Sequence, residues 1–375
     1  MRLLLLSFLA TSLTFSQDSA LVEQEMSLLF LGDIMGHGPQ ITSAQKANGS
    51  YDYTPCFKYI KDEISAVDVA IGNLEVTLAG PPYKGYPQFS SPDELAVACQ
   101  DAGIDVLVTS NNHSCDRGGQ GIVRTIDVLD SLKIMHTGTF LDSLDRQKRY
   151  PLIIDSDCMR IAILNYTYGT NGLPYPEPTI VNMIDKALMK RDLELAKSKN
   201  VDKIIVLTHW GSEYKLQPVD YQIDHAQFLF ENGADIIIGS HPHVLEKMVW
   251  EKKSDSLNKE RLIVYSLGNF VSNQRKRYTD GGAMFKMTLK KSGSETSIKD
   301  AGYMLTWVYI PQEKSKKTYH ILPASKYENK ADFFQNTEDF EKMKSFINDS
   351  RHLFESENLN VPEYRYTDDG WILTK

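Results

Sequence analysis

Five short apolar runs in this chain each end on side chains able to hold a cation, and helical stretches separate them. Ser27–Leu31 runs into Gly32-Asp33, and Val67–Ile71 into Gly72-Asn73-Leu74-Glu75. Val106–Thr109 leads to Ser110-Asn111-Asn112-His113, and Lys203–Thr208 to His209-Trp210-Gly211. Asp235–Ile238 ends on Gly239-Ser240-His241-Pro242-His243. Runs of this length read as strands. Apolar residues at helical spacing predict helices over Cys56–Ser65, Pro92–Ala102, Gly118–Leu132, Asn182–Ser198 and Val219–Asn232. Further strands are expected at Lys133–His136, Leu152–Ile154 and Arg160–Tyr166. Strands alternating with helices predict an α/β fold, in which the carboxyl ends of neighbouring strands share one rim where ligands bind.

Beyond Val244 the rhythm changes. Val244–Trp250, Leu262–Ser266, Ala283–Leu289 and Ala301–Ile310 read as strands with no helix between them, and so as antiparallel. The expected whole is two packed β-sheets flanked by helices, one parallel or mixed and one largely antiparallel. Lys290–Lys299 is polar and reads as a hairpin loop, Lys314–Lys317 as a basic turn, and Thr337–Ile347 as a terminal helix. Tyr303, Trp307, Tyr309 and Tyr319 are expected in the core of the second sheet.

Carboxylate oxygen and imidazole nitrogen suit Zn, Mn or Fe ions. Each residue alone has an ordinary explanation: Asp33 as a cap or turn former, Asn111-Asn112 as a turn, His209 as a core imidazole. Five such tips in register predict a divalent-metal site. The helix expected from Gly118 would place its N-terminal N–H groups beside the Asn-Asn-His loop, where they favour an anion, and Gly118, Gly119 and Gly121 would allow close backbone approach.

The charge balance, 41 basic against 49 acidic residues, offers no general footing for nucleic acid. Residues 1–16 carry Arg2, an apolar run and the small residues Thr14 and Ser16 before Gln17, the layout of a secretory signal peptide. Extracytoplasmic placement is therefore expected, periplasmic or secreted; an uncleaved leader would instead tether the chain peripherally to a membrane. Four widely spaced cysteines, Cys56, Cys99, Cys115 and Cys158, predict at most one or two bridges and no zinc ribbon.

The blocks L-F-L-G-D-I-M (29–35), G-N-L-E-V-T (72–77), N-N-H-S-C-D-R-G-G-Q-G (111–121), H-W-G-S-E-Y (209–214), G-A-D-I-I-I-G-S-H-P-H-V (233–244) and Y-S-L-G-N-F (265–270) together resemble the CapA (PgsA-like) family of poly-γ-glutamate capsule biosynthesis proteins. The resemblance implies a metallophosphatase-like (calcineurin-like) four-layer sandwich over residues 25–285, with 286–375 completing or flanking it. It also implies a role with an anionic polymer, poly-γ-glutamate, or with its membrane synthase complex. Against the two-metal pattern of metallophosphatases, Met35 replaces an imidazole, Asn73 an aspartate and Ser114 an acid, while Glu75 is the remaining candidate for the bridging carboxylate. The implied ligands are Glu75, Asn112, His209 and His241 for one ion, with Asp33, Glu75 and His243 for a second, less fully coordinated one.

Two classes of function follow. In a hydrolase acting on a phosphoester or γ-glutamyl bond, His113 would be the general acid. Asn73, Asn111, Asp116, Trp210, Glu213, Tyr214 and Asn269 would then contact substrate. In a non-catalytic polymer-binding or synthase-assembly factor the metal site would be degenerate, and the basic tract Gln274-Arg275-Lys276-Arg277 would hold the polyanion.

Overall fold

The computed structural model describes residues 23–374 except 157–158, 255–258 and 314–315; the leader assigned to residues 1–16, and Cys158, lie outside the described residues. Fourteen strands build two sheets. In chain order they are β1 (Gln24–Ile34), β2 (Val69–Leu74), β3 (Val106–Val108), β4 (Met135–Thr137) and β5 (Leu152–Asp155). Next come β6 (Arg160–Thr167), β7 (Lys203–His209), β8 (Ile236–Ser240), β9 (Met248–Glu251) and β10 (Arg261–Val264). The last are β11 (Asn269–Val271), β12 (Gly281–Ser292), β13 (Glu295–Tyr309) and β14 (His320–Pro323).

The first sheet has the order β14-β13-β12-β1-β2-β3-β4, with β11 beside the end of β1, and the second β9-β10-β8-β7-β6-β5. Period-two alternation decides what each face covers. Leu28 and Phe30 of β1 join Ile205 and Leu207 of β7 in the core between the sheets. Leu29 and Leu31 face the other way, onto Phe57, Ile60, Leu95 and Cys99 of the helical layer. Val206 and Ile237 of the second sheet likewise turn outward to Met189, Leu193 and Leu229. Both sheets are thus buried on both faces, as parallel strands require. The result is a four-layer sandwich, with helices covering the outer face of each sheet.

Of the expected pair, one sheet parallel or mixed and one largely antiparallel, the second is corrected. Both sheets are mixed: β1 to β4 are parallel and continue into antiparallel β12 to β14, while parallel β6, β7, β8 and β10 are flanked by antiparallel β5 and β9. The helix-free strands after Val244 are shared between the sheets because each has an open edge to extend. β12 runs across position 285, and β13 and β14 complete the first sheet. The hairpin loop expected at Lys290–Lys299 shrinks to Gly293 and Ser294, for β12 and β13 pair up to Ser292 and Glu295. The expected helix Cys56–Ser65 is two short ones, Thr54–Phe57 and Lys61–Ser65. The helix expected from Asn182 begins at Lys186, where the Asp185 carboxylate accepts from the Leu188 N–H at 2.7 Å. The terminal helix runs on to Glu357. Tyr303, Trp307, Tyr309 and Tyr319 are all buried, on and around the antiparallel strands β12 to β14.

Candidate metal centre

The tips of β1, β2, β3, β7 and β8 meet where the two sheets open at one end. Two trios of donors form there, Glu75 with His209 and His241, and Asp33 with Glu75 and His243; within each, the ligand atoms all lie within 4.8 Å of one another. All five side chains are buried. Asn112 Oδ1 is 2.9 Å from His209 Nε2, Glu75 Oε1 is 3.5 Å from the same nitrogen, and Asp33 Oδ2 is 3.2 Å from His243 Nδ1. Donors each about 2.1 Å from one ion stand about 3 Å apart when adjacent, so these separations suit a shared cation. Glu75 belongs to both trios. Both of its oxygens, and Nδ1 of His241, are buried without a hydrogen-bond partner. Orphaned carboxylate oxygens beside imidazole lone pairs are the chemistry a divalent ion satisfies.

Electrostatics agrees. Burial, then the charge of Asp33, pushes the Glu75 carboxyl well above the ordinary range. Burial, then the neighbouring imidazoles, holds His209 and His241 far below theirs, so both are neutral and able to ligate. The backbone is shaped to the purpose as well. His241 and His243 have φ of 101° and 57°, left-handed conformations that cost a non-glycine residue about 1–3 kcal/mol and collect at functional sites. Gly32 lacks a side chain because the Gly268 carbonyl fills the position of its would-be Cβ.

Several residues expected to touch substrate instead brace the ligands. Asn73 Nδ2 donates to Asp33 Oδ1 at 2.8 Å, and Asn111 Nδ2 to the Leu74 carbonyl at 2.8 Å. Asn269 is fully buried, with Oδ1 3.1 Å from His243 Nδ1 and Nδ2 donating to the Thr279 carbonyl. Trp210 is corrected to a core residue: it follows His209 on a strand, so its side chain takes the opposite face, where Nε1 donates to the Tyr265 carbonyl. Asp116 lies behind His113, with Oδ2 2.8 Å from His113 Nδ1 and accepting the Phe89 N–H. Glu213 and Tyr214 are exposed at the rim, the Tyr214 ring 6.2 Å from that of His243. Met35 belongs to neither trio and is buried against the helical layer. The glycines opening the helix Gly118–Ser131 serve packing in part, since a Cβ on Gly121 would meet that of Arg117. The basic tract is exposed: Arg277 forks onto Asp349 at the surface, Arg275 donates to the Val308 carbonyl beside the Trp307 ring, and Lys276 lies over the Tyr214 ring.

Two residues at the site were not anticipated. His37, two positions beyond Met35, feels the charges of His243 and His113, and burial lowers it to about 4. Tyr168 follows β6, a sixth strand tip, and its ring packs 4.5 Å from that of His241. The signal for both lay in the sequence, as an imidazole in the first loop and an aromatic after Arg160–Tyr166.

Residues 27–274 match the family described as "Bacterial capsule synthesis protein PGA_cap". The chain belongs to that family. It is similar to the "Capsule biosynthesis protein CapA" of Bacillus anthracis, 28% identical over 72% of this chain and 66% of that one. It is also similar to the "PGA biosynthesis protein CapA" of Bacillus subtilis (strain 168), 30% identical over 72% of this chain and 69% of that one. The match therefore spans about two thirds of the length of these relatives. Among solved structures, the NAD nucleotidase of Haemophilus influenzae shares the fold with a TM-score of 0.50 at 15% identity, over 88% of this chain and 61% of that one.

Proposed function

We propose that this PGA_cap protein acts outside the cytoplasm as a metal-dependent hydrolase in the making or export of an anionic capsule polymer such as poly-γ-glutamate, cleaving a phosphoester or γ-glutamyl bond. The observation that carries this reading is Glu75, buried with both oxygens lacking a hydrogen-bond partner and shared by two trios of imidazole and carboxylate donors. Glu75, His209, His241 and Asn112 would hold one divalent ion, and Asp33, Glu75 and His243 a second. Such an ion polarises the scissile group and lowers the pKa of water. The chain's own residues supply the rest. Asp116 accepts from His113 Nδ1, fixing the ring so that Nε2 is the nitrogen left to protonate a leaving group. His113 lies near enough for its charge to act on His209 and His241. Ser240 Oγ, 3.0 Å from His209 Nδ1, orients that ligand.

The test is elemental analysis and turnover on the purified protein, wild type beside His209→Ala and His241→Ala, with Mn²⁺ or Zn²⁺ supplied and phosphodiester and γ-glutamyl substrates offered. One or two ions per chain, lost in both variants together with cleavage, is the expected result. A wild type that retains no ion, or cleaves neither bond when loaded, overturns the reading.

A further inference from the structure

The tip of β6 carries no ligand assigned above, yet it is tied to the metal centre at both ends. Thr167 is in register with His209, and the Tyr168 N–H donates to the His209 carbonyl at 2.9 Å. The chain then turns back through Gly169 and Thr170 to Asn171, which sits on left-handed backbone with φ 53°. There Asn171 Oδ1 accepts from Asn112 Nδ2 at 3.2 Å. The turn thus joins the backbone of one proposed ligand to the side chain of another. It presents Tyr168 across the imidazoles, 4.5 Å from the ring of His241 and parallel within 15° to that of His209 at 6.5 Å. Tyr168 keeps 37% of its surface exposed while Glu75, His209 and His241 beneath it have almost none. A ring packed only to shield imidazoles has no need of a hydroxyl. Phenylalanine would serve equally; here the phenol oxygen accepts from the Asn112 side chain at the edge of the cation site, which leaves its own O–H to donate outward.

We infer that Tyr168 contacts the substrate, its hydroxyl donating to an oxygen of the oxyanion that occupies the open side of the Glu75, His209 and His241 trio. This rests on the hydrolase reading proposed above. The oxyanion is a phosphoryl group or the tetrahedral oxygen of an amide under attack; both present the same acceptor to the phenol. His113 and Tyr168 then divide the work, one serving the leaving group and the other a non-leaving oxygen.

The experiment measures orthophosphate binding by titration calorimetry to the Mn²⁺-loaded protein, wild type beside Tyr168→Phe, with metal content measured in each. A hydrogen bond to a charged acceptor predicts phosphate binding weakened roughly ten- to hundredfold in Y168F, with metal content unchanged. Tyr168→Leu, which removes the ring as well, should lose at least as much. Equal phosphate affinity in wild type and Y168F overturns the assignment alone, as does a Y168F protein that fails to retain metal, since the residue then acts on the ion. A wild type that takes up metal and binds no phosphate overturns this assignment together with the phosphoester form of the reading beneath it.

Discussion

Replacing Glu75 by glutamine keeps the shape of the side chain and removes the charge both trios need. The consequences have opposite signs with and without metal. In chelated wild-type protein the carboxyl is raised above its unfolded value by burial and by Asp33. A group shifted that way contributes stability fully present below about pH 4.5, which is lost progressively as pH rises toward the folded value. At pH 8 in chelator, E75Q should therefore melt above the wild type. Saturating metal reverses the order. An ion at a hundred times its dissociation constant adds about 2.7 kcal/mol to the form that binds it. With an unfolding entropy of about 2.1 cal/mol/K per residue over a chain of this length, that is a rise of roughly 3–4 °C in Tm. The assay is differential scanning fluorimetry at pH 8, both proteins with EDTA and with Mn²⁺. The reasoning fails if Mn²⁺ raises the Tm of E75Q as much as that of the wild type, or if chelated wild type is the more stable of the two.

Three further expectations follow from particular contacts. His113→Ala should cut turnover of an alkyl phosphodiester roughly 10²–10⁴-fold with metal content intact, and far less with a p-nitrophenyl substrate, whose leaving group needs no proton; Asp116→Asn should show the same pattern more weakly. Glu246 is fully buried, accepts from Gln222 Nε2 at 2.7 Å and has Oε1 unpartnered, and burial pushes it up to about 8. Its contribution is present in full below about pH 4.5 and lost as pH rises through 8, so Glu246→Gln should flatten the fall in denaturant midpoint between pH 5 and 9. Trp210→Ala should cost about 3–5 kcal/mol in urea unfolding, the range for emptying a large core site, while the protein that remains folded still takes up metal.

The convergence of the candidate donors was legible because each follows a short apolar run, and in an α/β sheet that position alone brings distant residues together. Asp33, Glu75, Asn112, His209, His241 and His243 needed no side-chain detail to be grouped. What failed was parity and depth. Trp210 adjoins His209 in sequence and therefore faces away from it, a distinction that requires knowing which residue of the strand is last. Asn111 and Asn269 carry the same amide as Asn112, and only the hydrogen bonds to Leu74 and Thr279 separate a brace from a contact. His37 stands in the loop beyond the strand tip, where position alone does not mark a donor, and Tyr168, an aromatic at a strand end, reads as core. The largely antiparallel second sheet failed for a different reason: an antiparallel run says how strands pair, not which open edge receives them.

The placement of β1 has a consequence for how the chain reaches its final form. Ser27 lies beside Thr288 on one flank and near Val69 on the other, so its first strand is locked in only when a partner roughly 260 positions later has arrived. Until then the earliest segment has one neighbour at most and a bare row of amides. A polypeptide built this way stays pliable until nearly all of it is available.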